Sequence, residues 1–191
     1  MEGVAVIVLL ALAGAGGYLL ARRRSAAATP ADDPLVPAKG PDRGDVRRLR
    51  VGDVVRHGFD DLIIRETYHL TEDGFSWQEH KADNGRWLSV EDDDTLEVAW
   101  WETIEATLEP GPEALTVDGV TYRRREHGRA TFRSERAEGA GPTGTVEYYD
   151  YAGPDGQLLG FERFTTHGDW EVSRGRTVNP TADLDIYPGT L

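Results

Sequence analysis

The sequence predicts an all-β domain, an antiparallel barrel or sandwich of short strands, preceded by one transmembrane helix. Beyond residue 46, short runs rich in β-branched and aromatic residues recur and are separated by turn residues. Asn84-Gly85, Asp118-Gly119 and Asp155-Gly156 each stand between two such runs, which is a strong short-range signal for a β-hairpin. An uncharged apolar run at residues 3–21 is long enough to cross a bilayer.

Residues 1–24 are typical of a membrane anchor. As a helix, the 19 residues from Gly3 to Ala21 span roughly 28 Å, close to a hydrocarbon core of about 30 Å. The arginines 22–24 follow this run and only Glu2 precedes it, so the positive-inside rule places residue 1 outside and the following chain in the cytoplasm. A cleaved secretory signal is the alternative, because Ala-rich sequence follows at 26–28. We therefore expect a single-pass protein of the cell membrane.

Residues 25–46 are predicted to form a disordered linker. Alanine, aspartate and glycine dominate this segment, with prolines at 30, 34, 37 and 41, and such a composition buries little apolar surface. The remaining residues, 47–191, have the length of one typical domain, which we expect to be an acidic β domain in the cytoplasm.

The charge is divided unevenly along the chain. Residues 1–50 carry eight Lys/Arg and five Asp/Glu, a net charge of +3, whereas residues 51–191 carry 13 and 29, a net charge of −16. A domain this acidic is repelled by nucleic acid, which argues against nucleic acid as a partner. A cationic ligand or a basic protein surface is electrostatically favoured. The chain has no cysteine, which excludes disulfides and thiolate chemistry.

The strands of a first series follow in order from residue 50. Arg50–Arg56 ends at a turn, His57-Gly58, and Leu62–Leu70 ends at the turn signal 72–74. Phe75–Lys81 and Arg86–Val90 flank Asn84-Gly85 as a hairpin.

Residues 95–108 allow two interpretations. Leu96, Trp100, Ile104 and Leu108 are at helical spacing, whereas Leu96, Val98 and Trp100 alternate as they would in a strand. We expect a strand, because the segments on both sides are β.

A second series of strands follows Pro112. Its runs are 114–117, 120–124, 130–135, 145–151, 158–165 and 170–174, and residues 183–187 are expected to add a last edge strand. The hairpin around Asp155-Gly156 can be aligned with the hairpin around Asn84-Gly85. This alignment has two interpretations: a duplicated β unit, or a chance match between two hairpins.

Three segments of the first series carry a resemblance to a known family. Val51-Gly-Asp-Val54, Gly74-Phe-Ser-Trp-Gln-Glu79 and Gly85-Arg-Trp-Leu-Ser-Val90 resemble a bacterial, mostly actinobacterial family, domain of unknown function 4178. His80 stands where that family usually has an aromatic residue. The resemblance covers roughly residues 49–175 and implies a β-rich domain, often joined to or encoded beside membrane, polyamine-related or stress-related proteins. It implies no known activity.

Motifs for cofactor and metal binding are weak in this chain. The sequence Gly139-Ala-Gly-Pro-Thr-Gly144 matches the glycine pattern of a dinucleotide-binding site. Such a site needs a helix after the glycines, whereas a strand is predicted here, so we expect a flexible loop. The five histidines are dispersed at positions 57, 69, 80, 127 and 167 and do not form a metal-ligand pattern. We predict no cofactor and no metal.

Aromatic and acidic residues of the two aligned hairpins give the candidate ligand site. Trp77, Trp87 and Glu79, with Glu147, would suit a small organic cation at a barrel mouth, because aromatic faces and carboxylates attract cations. The same aromatic residues would otherwise fill a core. An enzyme that uses Glu79 and Glu147 as acid and base is a further alternative. We expect above all a membrane-tethered binding or scaffold module without catalytic activity, with a protein partner at the membrane.

Overall fold

Twelve strands make up most of the part of the chain that the structure describes. The computed structural model describes residues 44–165 and 168–189. The strands are β1 (Val54–His57), β2 (Asp60–Ile63), β3 (Glu66–Glu72), β4 (Phe75–Lys81), β5 (Arg86–Asp92), β6 (Leu96–Ile104), β7 (Ala114–Val117), β8 (Val120–Arg136), β9 (Gly139–Ala152), β10 (Gln157–Phe164), β11 (Glu171–Thr177) and β12 (Leu184–Tyr187). Two 3-10 turns, Val46–Arg48 and Pro154–Gly156, are the helical segments of these residues.

Eight of the strands close into an antiparallel barrel. Their order is β3-β4-β5-β6-β11-β10-β9-β8, and β8 pairs back onto β3 to complete the ring, while β7 extends the sheet beside β8. Closure leaves no open edge within the ring, which removes a common route to aggregation. Of the predicted alternatives, barrel or sandwich, the structure confirms the barrel.

The ring consists of two meanders of four consecutive strands, β3–β6 and β8–β11. They join where β6 pairs with β11 and where β8 pairs with β3. A duplicated unit would give this order, but β8 and β9 are about twice as long as their counterparts β3 and β4. The duplication stays a prediction.

A second, three-stranded sheet in the order β12-β1-β2 covers one side of the barrel. Its inward side chains include Val55, Leu62 and Ile186, which pack with Leu88 and Trp100 on the outer face of β5 and β6. The apolar area removed from water here fixes the small sheet to the barrel. The expected edge strand at 183–187 is therefore confirmed as β12, with an apolar inner face.

The strand prediction for residues 95–108 is confirmed, because β6 covers Leu96–Ile104.

The prediction of one strand over 62–70 is wrong. The chain changes sheets between Ile63 and Glu66, so that Leu62 belongs to β2 of the small sheet and Leu70 to β3 of the barrel. The runs 120–124 and 130–135 likewise belong to the single long strand β8, which bends at a register shift between Arg124 and Glu126.

The glycine-rich segment 139–144 is the start of strand β9 and not the flexible loop that the sequence suggested. It pairs with the end of β8, where Gly139 lies opposite Arg136. Its glycines are needed because neighbours approach closely: a Cβ at Gly141 would lie 2.2 Å from Ser134 Oγ, and one at Gly144 would lie 2.7 Å from Thr165 Oγ1. Close packing of a strand, and not phosphate binding, accounts for the pattern.

The predicted anchor 1–24, most of the predicted linker 25–46, and His167 lie outside the described residues. Within residues 44–165 and 168–189, neither helical segment is long and apolar enough to span a bilayer. The anchor and the tether stay predictions.

Candidate functional site

The candidate site lies inside the barrel, where strand alternation gathers charged side chains. On β4, Trp77, Glu79 and Lys81 face the interior, while Gln78 and His80 face outward. Glu162 on β10 and Asp150 on β9 face the same interior from the opposite side. The barrel interior therefore contains charged side chains and is not uniformly apolar.

Lys81 is the centre of this cluster. Its Nζ lies 3.2 Å from Glu162 Oε2 and 3.7 Å from Glu79 Oε2. Three aromatic rings surround the same ammonium, with centroids 4.6 Å away for Phe164, 4.9 Å for Tyr68 and 5.4 Å for Trp87. Carboxylates and aromatic faces together attract a cation strongly when water is displaced. The barrel thus encloses an aromatic and acidic cage that holds its own ammonium group.

The protonation of the cage follows from this geometry. Burial alone would lower the pKa of Lys81, but the carboxylates of Glu162, Glu79 and Glu171 raise it above its ordinary value. Burial raises the pKa of Glu79 well above its usual range, the charge of Glu162 raises it further, and Lys81 opposes both. This geometry therefore favours the charged form of Lys81 and the protonated form of Glu79.

Asp150 extends the acidic cluster along the interior. Burial raises its pKa to about 7, and the carboxylates of Glu162 and Glu126 raise it in the same direction, against the weaker influence of Arg125. Its Oδ1 lies near the backbone of Gly160, where a Cβ would be 3.6 Å from the carboxylate oxygen and 3.2 Å from the Trp101 ring. Gly160 therefore makes room for both side chains.

Two stacked tryptophans line the other part of the interior. The rings of Trp87 and Trp101 lie 4.9 Å apart and 7° from parallel. Trp87 Nε1 donates to Ser173 Oγ at 3.3 Å, and Trp101 Nε1 donates to Ser89 Oγ at 3.0 Å, so both indole N–H groups are satisfied. Trp101 lies so close to Gly175 that a Cβ there would be 2.4 Å from the ring.

The structure brings together three of the four residues that the sequence singled out. Trp77, Glu79 and Trp87 all face the interior, and Trp77 Nε1 donates to Glu79 Oε1 at 3.3 Å. The ring of Trp77 also meets Tyr148 from across the barrel, 5.7 Å between centroids. Their predicted role in binding a separate cation is a proposal, because the cage they border contains Lys81.

Glu147 does not join these residues. It lies on the outer face of β9, where it pairs with Arg129 on β8 and Arg163 on β10. Hydrogen bonds from these two guanidinium groups hold the pKa of Glu147 below its usual value. Because Glu79 and Glu147 face opposite sides of the barrel wall, the acid and base pair considered from the sequence is not assembled.

The sequence reasoning missed Lys81, Glu162 and Asp150. Lys81 follows Glu79 by two residues, so strand alternation was a sufficient signal for it. Glu162 and Asp150 come from strands about 70 to 80 residues further along the chain, and their arrival depends on the barrel topology, for which local sequence carries no signal.

His80 is buried on the outer side of β4 and has no role in the cage. It is 0 % exposed, its Nδ1 lies 3.0 Å from Thr67 Oγ1, and among the described residues its Nε2 has no hydrogen-bond partner. Burial, with a smaller contribution from the charge of His69, lowers the pKa of His80 to about 3. This histidine is therefore neutral at physiological pH.

An open groove of about 570 Å³ lies along the outer surface of the barrel wall, and three of its lining residues, Leu70, Trp77 and Phe132, have side chains on the interior face of their strands. Outward side chains of β3, β4 and β8 form its floor, and Arg47, which pairs with Asp92, stands at its rim. The residues are Arg47, His69, Leu70, Thr71, Ser76, Trp77, Gln78, Val90, Asp92, Thr131, Phe132 and Arg133. We call this surface the outer groove.

These features define the chain as a closed antiparallel β-barrel protein with a charged interior. The sequence profile of a family described as a domain of unknown function (DUF4178) matches residues 50–180, and the chain belongs to this family. It is also similar to an uncharacterized protein of Mycobacterium bovis, with 34% identity over 203 aligned positions that cover 98% of this chain and 97% of the relative. Uncharacterized proteins of two Mycobacterium tuberculosis strains match with the same figures. No solved structure matches the chain.

Proposed function

We propose that this chain is a membrane-tethered, non-catalytic binding module whose barrel lies in the cytoplasm and binds a protein partner through its outer surface. The single observation that carries the proposal is the internal pairing of Lys81. Because its ammonium occupies the aromatic and acidic cage, the most chemically distinctive residues of the domain contact one another. They stabilise the scaffold, which leaves the outside of the barrel for recognition.

The outer groove is the surface that best fits this role. Its volume of about 570 Å³ lies within the range of about 300–1,000 Å³ that is usual for binding sites. Its floor carries hydroxyl and amide groups of Thr71, Thr131 and Gln78, which suit hydrogen bonds to a polar partner.

The tether is supported by the apolar run 3–21 and the arginines 22–24. A tether raises the effective concentration of a domain near partners in the same membrane. The mechanism that we propose is therefore local recruitment.

The orientation can be tested by single-cysteine labelling, because the chain has no native cysteine. Phe59 is fully exposed at a hairpin turn, so Phe59→Cys provides a reactive thiol on the domain, and Glu2→Cys provides one before the apolar run. In intact spheroplasts, a membrane-impermeant maleimide is expected to label position 2, and position 59 only after lysis. Labelling of position 59 in intact spheroplasts, or a mature chain that begins near residue 28, would contradict the proposal.

The binding surface can be tested by photo-crosslinking in cells. A photoreactive amino acid at Gln78 or Thr131 samples the outer groove, and the same group at the exposed Ala114 on β7 samples another part of the barrel surface. We expect one discrete adduct from both groove positions, identified by mass spectrometry and reproduced when the photoreactive group is placed in the partner. Equal adducts at Ala114, or none at the groove, would exclude this surface.

A second candidate function is the binding of a small organic cation. The observation in its favour is Asp150, whose surroundings include the carboxylates of Glu162, Glu126 and Glu91. An ammonium ligand would reduce their repulsion. Calorimetry with spermidine tests this candidate: binding at micromolar to millimolar concentration that Asp150→Asn weakens would support it, and no heat up to millimolar spermidine would exclude it.

A further inference from the structure

The barrel interior holds a carboxyl cluster in contact with both of its apolar parts. One part contains Tyr68, Leu70, Ala130, Phe132, Val146 and Phe164, and the other contains Trp87, Ala99 and Trp101. Lys81 touches Phe164 of the first part and Trp87 of the second. The two carboxyls beside Lys81, Glu79 and Glu162, therefore act on the side chain that contacts both parts.

The cluster has more carboxyl groups than cations. Glu79 faces Glu162 from β10 and Lys81 from its own strand, and Lys81 is also near Glu171 on β11 and Tyr68 on β3. Glu79 is 3 % exposed, and among the described residues its Oε2 has no hydrogen-bond partner, so ionising Glu79 beside Glu162 would place two negative charges at the single ammonium of Lys81.

Asp150 has a similar environment on the other side of the interior. Glu126 on β8 and Gly160 on β10 pair directly with Asp150, and Glu162 lies two residues beyond Gly160. The charges of Glu162, Glu126 and Glu91 raise the pKa of Asp150, and that of Arg125 lowers it. Three carboxylates outweigh one guanidinium, so a proton on Asp150 relieves repulsion in the folded state.

We propose that the barrel interior is a proton-controlled element, in which protons on Glu79 and Asp150 keep its two apolar parts packed and their loss loosens the domain. In the step, the carboxyl O–H bond breaks, the proton passes to solvent, and the electron pair stays on the carboxylate. This inference is independent of the proposed binding function, because it concerns the interior and not the outer groove.

The sign of the effect follows from proton linkage. The pKa of Asp150 is raised to about 7, against an ordinary value of 3.8 in the unfolded chain. Between these values the folded state binds more protons than the unfolded state, so this contribution to stability is complete below the ordinary value and declines as pH rises to about 7. Glu79 contributes in the same direction.

The test compares amide variants of the full-length chain. Glu79→Gln and Asp150→Asn imitate the protonated groups without changing their shape, and Glu147→Gln is the matched control, because it removes one carboxylate from the outer face of the same barrel. Thermal unfolding is followed from pH 5 to pH 8. We expect the melting temperature of the unchanged protein, relative to that of the double variant, to fall by about 3 °C per pH unit between pH 5 and pH 7. This difference cancels the opposite effect of His80, which both chains carry, and Glu147→Gln is expected to show a profile parallel to that of the unchanged protein.

A second measurement needs no variant. The stacked pair of Trp87 and Trp101 gives a circular dichroism signal sensitive to its packing, and Trp101 lies beside Asp150 at Gly160. We expect this signal to titrate with a midpoint near pH 7. An invariant signal between pH 5 and pH 8, or equal pH slopes for the unchanged protein and the double variant, would overturn the proposal.

Discussion

Lys81 on β4 reaches across the barrel to Glu162 on β10, and the ammonium nitrogen lies 3.2 Å from the carboxylate oxygen Oε2. The two strands are not neighbours in the barrel, because β4 pairs with β3 and β5, whereas β10 pairs with β9 and β11. The contact therefore joins the two four-stranded meanders through the interior, in addition to the two places where their strands pair.

Replacing Lys81 tests how much this contact stabilises the domain. Lys81→Met keeps the apolar stem but removes the ammonium group that contacts Glu162 and Glu79 in the interior. Removing one partner of a buried ion pair typically lowers the free energy of unfolding by about 3 kcal/mol or more. Urea denaturation is expected to show this loss at neutral pH. The double variant Lys81→Met with Glu162→Leu, which removes both charges, should recover part of it.

The cage itself can be tested by chemical rescue. Lys81→Ala removes the side chain beyond Cβ and leaves room for an alkylammonium ion among Glu79, Glu162 and Phe164. Butylammonium at millimolar concentration is expected to raise the melting temperature of Lys81→Ala and to have no such effect on Lys81→Met, whose stem fills the space. Equal responses of the two variants would show that the cage does not select an ammonium group.

The sequence carried enough information to place Glu79, Trp77 and Trp87 in the interior, and also to place Glu147 outside it. In the alignment of the two hairpins, the residue opposite Glu79 is Tyr148, and Tyr148 indeed faces the interior with Trp77. The neighbouring Glu147 must then face outward, because successive residues of a strand point to opposite faces. The carboxylate of Glu147 suggested a role in cation binding, whereas strand alternation places this side chain outside the barrel interior.

The hairpin turns and the all-β class were predictable because they depend on local residues such as Asn84-Gly85 and Asp118-Gly119. The point at which the chain passes from the small sheet to the barrel, at Ile64 and Arg65, was not predictable. The segments before and after it are equally rich in β-branched residues. Which sheet a strand joins depends on pairing with residues distant in sequence, as β1 with β12 shows.

Adding one methyl group at Gly175 is expected to destabilise the barrel. A Cβ at this position would lie 2.4 Å from Trp101 Cε3, so the tryptophan pair would have to shift. Overpacking of this kind typically lowers the free energy of unfolding by about 1–3 kcal/mol. Chemical denaturation of Gly175→Ala measures the change. In a Trp101→Ala background the same glycine substitution should have a much smaller effect, and an equal effect in both backgrounds would contradict the proposed clash.

Gly141 provides a similar test for the glycine-rich start of β9. A Cβ there would lie 2.2 Å from Ser134 Oγ, whose hydroxyl donates to the carbonyl oxygen of Pro142 at 3.2 Å. Gly141→Ala is expected to lower the melting temperature, and Ser134→Ala in the same chain to restore part of the loss. If Gly141→Ala left the melting temperature unchanged, the segment would behave as the flexible loop that its composition suggests.

His80 predicts a loss of stability in acid that opposes the effect of the interior carboxyls. Its pKa is about 3 in the folded protein and near 6.5 in the unfolded chain, so the unfolded state binds more protons throughout this interval. The contribution of neutral His80 to the free energy of unfolding is fully present above pH 6.5. It falls by at most about 1.4 kcal/mol for each pH unit below that value. His80→Phe and His80→Leu should both remove this acid-sensitive contribution. We therefore expect the difference in unfolding free energy between each variant and the unchanged protein to grow in favour of the variant as pH falls from 6.5 to 4.

A constant difference over that range would mean that His80 is already protonated in the folded domain, and that water or another donor reaches a ring that the structure buries completely.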